Sequence, residues 1–446
     1  MPSTEKLDTH HKALMVNLDL STFGSFAEIG AGQEVARWFL KVGGASGTVA
    51  KTISAYDKEV SDDLYGSGSR YVSRQRLEAM LENEWAQLLC QLEKTRGSKT
   101  RFFSFVDTVS ARNYAGTNDP HGWVALRFQS QPAGPPNDIL LHINMRDPSN
   151  ALQQEAIGIL GVNFIYAAFY QLGTPESFFQ GLAQDLGNER IEIDFIDFRG
   201  PGLANWNRSR LLANLVQAGL AEAVFFSPTE AIPPTEALYK KAVVLAPGYF
   251  GHVDPAHGQI HAQLLEAGVQ ELRKELAEAN APMGVFCLTA ASLTPEESAP
   301  EISDLLRRID ALVAQGGNVL LFRQRQLYAM PALVNRYTKA PVRVVVGLSL
   351  LMRVLNDPYF DLAGRRLEAL SRLFAENVRI YAHPMTAVDL QESITSSAGA
   401  GLEWSETNGW VYADQLRVAP PLGHLYRYLL ASNFLVPMQI PLAVAA

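Results

Sequence analysis

Five short apolar runs in the second half of the chain constrain its fold more than any other feature. They are Ala242-Val243-Val244-Leu245-Ala246, MGVFCLT from Met283, NVLLF from Asn318, VRVVVG from Val342 and VRIY from Val378. Runs this short, apolar and uninterrupted fit strands buried on both faces of a parallel sheet. Stretches with helical spacing separate them. After the first run, Ile260, Leu264, Leu265, Val269, Leu272 and Leu276 mark a helix from near Pro255 to about Asn280. Ile302–Gln315 is a second helix, stopped by Gly316-Gly317. Leu327–Thr338 and Leu362–Asn377 are two more. Strands that alternate with helices over short connections predict a doubly wound, parallel, Rossmann-like sheet over about residues 240–385.

The first half reads differently. Arg74–Thr95 is a strong amphipathic helix with Leu77, Met80, Leu81, Trp85, Leu88, Leu89 and Leu92 on one stripe. RFFSFVDTV, GWVALRFQ and DILLHINM then follow as strands of one sheet, and RIEIDFIDF from Arg190 is another. Ala13–Leu18 is expected as a first strand, Asp19–Gln33 follows it with no strand directly abutting its glycines, and Asp57–Arg70 is expected as a flexible polar loop. Ala156–Pro175 carries no charge over about the length of a membrane span. It holds Asn163 and Gln171 and lacks basic flanks, so it is expected as a central buried helix. The prolines of Pro228–Pro234 form a connector. With 446 residues the chain is expected to hold two domains, a mixed α/β domain over 1–235 and the Rossmann-like domain with a C-terminal helical tail over 236–446.

A net charge of −8 argues against nucleic acid as the partner. Cys90 and Cys287 make no disulfide framework, and Met1–Lys12 is polar without a leader pattern, so a cytoplasmic location is expected. No membrane partner is predicted. The apolar tail after Leu425 is expected as a docked segment or a contact in a homo-oligomer.

Candidate chemistry concentrates in Lys240–His261, where a strand breaks on Pro247-Gly248 and runs through three histidines and an aspartate into a helix. Loops beyond the carboxyl ends of parallel strands are where open α/β sheets bind ligands. A helix N-terminus there favours an anion. His257 and His261, four apart, share a helix face. HxxxH lacks the glutamate of HExxH and no third ligand is evident, so no metal site is predicted. Asp254, His257 and His261 are the candidate catalytic groups. Gly248, His252, Arg323, Arg325 and Ser349 are candidate ligand contacts on other carboxyl-end loops, with Arg343 and His383 expected to converge on them. Gly30 and Gly32, before a helix, invite a phosphate-loop reading, although the third glycine of GxGxxG is Val35. Asp197, near the end of its strand, stands where a catalytic acid often sits. His121 and His142 read as structural.

Four stretches carry a resemblance: NLDLSTFGSFAEIGAGQEVARWF, LQQEAIGILGVNFIYAAFY, RIEIDFIDFRGPG and RVAPPLGHLYRYLLASNFL. Together they resemble a family of large bacterial cytosolic proteins, some of whose members are labelled nicotinate-nucleotide adenylyltransferases. That label implies a G-x-F-x-P-x-H-x-G-H type loop whose paired histidines contact phosphates in the transition state. Gly248-Tyr249-Phe250, Asp254-Pro255, His257 and His261 echo it, with the second histidine one residue too far on and no Ser/Thr-rich, Arg-bearing motif after it. The function expected is binding or processing of a nucleotide or phosphorylated small molecule at the crevice of the second domain. The sequence names no cofactor. A non-catalytic self-assembling scaffold or filament is the alternative.

Overall fold

The computed structural model describes residues 7–187, 189–248, 250, 255–276, 281–291, 300–375, 377–395 and 402–439, with only the backbone for 255–261 and 394–395. The chain divides into two compact units, Met1–Val224 and Phe225–Ala446. Both are α/β.

The first unit runs α1 (Thr9–Leu18), β1 (Thr22–Ile29), α2 (Glu34–Lys41), β2 (Val49–Ile53), α3 (Lys58–Tyr65) and α4 (Arg74–Arg96). It continues through β3 (Arg101–Ser110), β4 (His121–Gln129), β5 (Pro136–Met145), α5 (Asn150–Tyr170), α6 (Pro175–Ala183), β6 (Ile191–Arg199) and α7 (Arg208–Gln217). Six strands form one sheet in the order β2-β1-β3-β4-β5-β6. β1 is parallel to β2 and β3, and the rest of the sheet is antiparallel. α4 covers one face, where Trp85 and Leu88 pack with Phe23 and Phe102. On the other face Phe26 meets Phe39 of α2, and Phe103 meets Phe169 of α5.

α5 is buried along Ala156–Ala168, as expected of the uncharged segment. Its glycines let α2 lie close, because a Cβ on Gly161 would meet Val35 Cγ2 at 2.2 Å. Among the described residues no helix is long and apolar enough to cross a membrane.

Three expectations are corrected here. Ala13–Leu18 belongs to α1, whose buried side is Thr9, Lys12, Ala13, Val16 and Asn17. Asp8 caps it by accepting the His11 N–H at 2.8 Å. Asp19–Gln33 holds β1, which runs directly up to Gly30 and is buried on both faces even at Ser25 and Glu28. The supposed polar loop contains α3, capped by Asp57 and pinned where Tyr65 OH donates to Glu84 Oε1 at 2.9 Å.

The second sheet has seven strands. β7 (Ala223–Phe226) spans the unit boundary. β8 (Val243–Pro247), β9 (Met283–Thr289), β10 (Asn318–Phe322), β11 (Val342–Gly347) and β12 (Val378–His383) follow. With a last strand at Leu435–Pro437, the sheet order is Leu435–Pro437, β12, β11, β8, β9, β10, β7. The pairings from β10 across to Leu435–Pro437 are parallel. The described part of the apolar tail joins this sheet, with Ile380 paired to Leu435 and Met438 buried.

Candidate functional site

Strand order locates the crevice of the second unit. From β8 the chain moves through β9 to β10 on one side, then returns to lay β11 and β12 on the other. The reversal falls between β8 and β11, which pair through Val243 to Val342 and Leu245 to Val344. Connections leave in opposite directions at such a point, and in open α/β sheets ligands bind beyond the carboxyl ends of the two strands. Gly248 follows β8. On β11 the strand ends at Gly347, which begins the helix Leu348–Asn356 without any side-chain cap. Ser349 lies half-buried in the first turn of that helix. The helix Pro255–Glu275 rises from the loop after β8, with His257 and His261 in its first two turns. Their side chains, and His252 and Asp254 entirely, lie outside the described residues.

His383 ends β12, beside Gly347 in register. Its Nδ1–H donates to Pro384 O at 2.8 Å, which leaves Nε2 as an acceptor. Burial pushes this imidazole below its usual pKa, so the neutral ring dominates at pH 7.

The predicted arginines do not meet there as a group. Arg323 and Arg325 are exposed in the loop after β10, which Thr289 Oγ1 ties down by donating to Gln324 O at 3.0 Å. β10 lies three strand spacings from β11, or roughly 14 Å. Only an extended ligand touches both Arg325 and Ser349. Arg343 is corrected outright. It is the second residue of β11, 2% exposed, at the amino end of the sheet. Its guanidinium donates to Glu275 Oε2 at 2.6 Å and to Asn377 O at 2.9 Å.

In the first unit the polar groups gather at the carboxyl ends of β1 and β3. Gly30 and Gly32 make the turn into α2 with φ of 104° and 79°. A Cβ on Gly30 would meet Val109 O at 1.8 Å, so the turn requires glycine. Glu28 accepts the N–H groups of Val35 and Ala36, each at 2.9 Å. Its carboxylate thus occupies the helix N-terminus that the phosphate reading of Gly30 and Gly32 gives to a ligand. Asp107 is its neighbour in register on β3. Asp107 Oδ1 accepts from Ile29 N–H at 3.1 Å, and Oδ2 has no partner among the described residues. Burial raises Glu28 to about 7, and burial with the Glu28 charge raises Asp107 well above the carboxylate range. Two acids in one dry site hold a proton at neutral pH.

On the opposite face a hydrogen-bonded chain crosses three strands. Asp194 Oδ1 holds His142 Nδ1 at 2.6 Å, and His142 Nε2 lies 3.2 Å from His121 Nδ1. Asn144 donates to Asp194 Oδ2 at 2.9 Å. Asp194 and His142 are buried, Trp123 packs edge-on to His142, and His121 is half-buried at the end of the chain. Burial, with the neighbouring His142, pushes His121 down to about 4. The arrangement links a buried carboxylate to a half-buried ring through hydrogen bonds. Its sequence signal is present: HGW and LHIN place both histidines at strand positions among apolar neighbours. Period alone cannot pair them, and a register shift between His142 and Ile143 turns Asp194 toward His142. Asp197, the acid favoured from sequence, is fully buried among Arg74, Arg199 and Arg208 at 3.3, 2.8 and 2.5 Å.

No family model matches the chain, and no curated protein does. Solved structures give partial likenesses. One is the competence/damage inducible protein CihA from Agrobacterium tumefaciens, 21% identical, with 36% of this chain and 95% of that chain covered and a TM-score of 0.28. Another is a competence-damaged protein (CinA) superfamily protein from Enterobacter cloacae, 11% identical, with coverage of 38% and 96% and a TM-score of 0.28. A CinA superfamily protein from Klebsiella pneumoniae is 14% identical, with coverage of 36% and 96% and a TM-score of 0.26. Scores this low assign neither a fold nor an activity.

Proposed function

We propose that the second unit binds a nucleotide or other phosphorylated small molecule in the crevice beyond β8 and β11. One observation carries the reading: the strand order reverses between β8 and β11, and helices start beyond both strand ends. The uncapped N–H groups after Gly347 and the positive end of that helix dipole favour an anion. His383 adds a neutral acceptor beside them. In this reading His257, His261 and Asp254 are the groups available for chemistry on a phosphate, and Arg323 and Arg325 reach only a long ligand.

The test is a thermal-shift screen of the full chain with ATP, nicotinate mononucleotide, NAD and glucose 6-phosphate, each with and without magnesium. A ligand at a hundred times its dissociation constant adds about 2.7 kcal/mol, worth roughly 5–10 °C in a unit of this size. The shift should disappear in Ser349→Trp, which fills the crevice, and shrink in the double variant His257→Ala/His261→Ala. A flat response to all four compounds sinks the proposal, and so does a shift that survives Ser349→Trp.

A further inference from the structure

Lys12 is a buried cation without a counter-ion. It is 1% exposed. Its Nζ donates to Asn163 Oδ1 at 2.7 Å and to Gly181 O at 3.3 Å, both neutral acceptors. Among the described residues it forms no ion pair, and Asp185 acts on it only from a distance. Two acceptors also leave the third ammonium hydrogen unassigned. Buried charges are ordinarily paired, because an unpaired one is costly.

The lysine lines a cleft of about 970 Å³ between the start of α1, the end of α5, α6 and the end of α7. That is a ligand-sized space. Two further lining residues present orphaned atoms. Asn214 is 8% exposed, and its Nδ2 has no partner among the described residues. Gln171 Oε1 is likewise buried and unpaired. It lies against Gly181, where a Cβ would meet it at 1.7 Å, and the same glycine's carbonyl receives the Lys12 proton. An amide donor and a carbonyl acceptor are therefore unsatisfied around one cleft, beside an ammonium that has two neutral acceptors and the Tyr166 ring 5.7 Å away but no counter-ion among the described residues. Buried polar groups in native proteins are nearly always satisfied, so each orphan calls for a partner.

We propose that this cleft binds a monoanionic hydroxycarboxylate of about the size of a sugar acid. Its carboxylate accepts from Lys12 Nζ and Asn214 Nδ2, and a hydroxyl donates to Gln171 Oε1. Charge selects the class. One ammonium and no guanidinium lines the cleft, and the carboxylates of Glu176 and Asp185 stand exposed at its rim. The single buried ammonium can hold one carboxylate, because the two acids are exposed and screened by water, while a second negative charge on a ligand would meet them unopposed. The remaining walls are amide-rich, with Gln180, Gln184 and Gln217, as a polyhydroxylated ligand requires. The site is independent of the crevice proposed for the second unit.

Isothermal titration of the full chain with glucuronate, glucose and acetate at pH 7 separates the contributions. Glucuronate carries carboxylate and hydroxyls, glucose only hydroxyls and acetate only the carboxylate. We expect glucuronate to bind at least tenfold more tightly than either. Asn214→Leu should weaken it at least tenfold while leaving the melting temperature unchanged or higher, since it removes an orphaned amide. Lys12→Met should abolish binding. Ser349→Trp, in the other unit, should change nothing. Glucuronate that gives no heat at millimolar concentration overturns the proposal. So does equal binding of glucose, or an Asn214→Leu chain that binds as the parent does.

Discussion

The depressed pKa of Lys12 makes the stability of the first unit depend on pH in a way that a single substitution isolates. Burial lowers this ammonium from 10.5 to about 8, against a weaker opposing pull from Asp185. The unfolded chain keeps the ordinary value, so between pH 8 and 10.5 it holds more protons than the folded chain. Stability therefore rises with pH through that window. A tenfold change in proton affinity is worth about 1.4 kcal/mol. From pH 7 to pH 10 the Lys12 contribution should improve by about 2.5 kcal/mol. Other groups titrate over the same range, but they do so equally in the parent and in Lys12→Met. The quantity to measure is the difference between the two stabilities, from urea titrations followed by tryptophan fluorescence at closely spaced pH values. The substitution also strands Asn163 Oδ1, which adds a penalty of about 1–3 kcal/mol. That penalty does not vary with pH, so it offsets the curve without bending it. A ¹³Cε titration of Lys12 supplies a second, direct reading with an expected midpoint near 8. A flat stability difference together with a midpoint near 10.5 would refute the reasoning, because the ammonium would then be solvated rather than buried among neutral acceptors.

Two further outcomes follow from the buried polar groups of the same unit. Glu28 is raised to about 7 by burial, so its folded form binds more protons than its unfolded form, and the stability it confers at low pH is lost as pH rises from 4.5 to 7. Asp107, raised by burial and by the Glu28 charge, adds a dependence of the same sign; Asp107→Asn should remove that part, leave the burial-driven part of Glu28, and raise the melting temperature at pH 8, and an unchanged pH profile by calorimetry would count against the shared-proton account. Asp194→Ala strands the ring N–H of His142 and the Asn144 amide, which should cost about 2–6 kcal/mol at 1–3 kcal/mol per orphaned buried donor; a loss below about 0.5 kcal/mol in urea titrations would show that water replaces the carboxylate.

What can be read from sequence depends on how each element buries its polar residues. The second unit's strands are almost wholly apolar, and α4 and α5 carry long unbroken stripes, so their period is plain. β1 escapes such a reading because Ser25 and Glu28 interrupt its apolar pattern. They are tolerated inside because Ser25 Oγ meets Ser104 Oγ at 3.0 Å and Glu28 caps α2. α1 escapes it because Lys12 and Asn17 lie on its buried side. Asn17 is satisfied there by the carbonyls of Phe39 and Gly43 at 2.7 and 2.6 Å. The serine and asparagine partners are distant in sequence, and no local window contains them; the Glu28 partners are near but need the turn at Gly30 and Gly32 to bring them back. The candidate sites are hidden for a related reason. Arg343 and Arg323 look alike in sequence, yet one starts a strand and the other follows one, so they lie at opposite ends of the sheet. The chain from Asp194 through His142 to His121 needs three strands in register, and the Lys12 cleft needs four helices.

Apolar periodicity treats a buried lysine, glutamate or histidine as evidence against burial. Physically the inference runs the other way. Desolvating such a group costs several kcal/mol unless a specific partner is supplied, so a chain that buries one has a partner elsewhere in its fold or in a ligand. Glu28 finds its partners in the α2 backbone, His142 in Asp194 and Arg343 in Glu275. Lys12 finds two neutral acceptors and an aromatic face but no counter-charge, and Asn214 and Gln171 beside the same cleft find no partner for one atom each among the described residues. The residues that spoil the pattern of β1 and α1 are thus also those whose unmet demand separates a ligand site from a structural network.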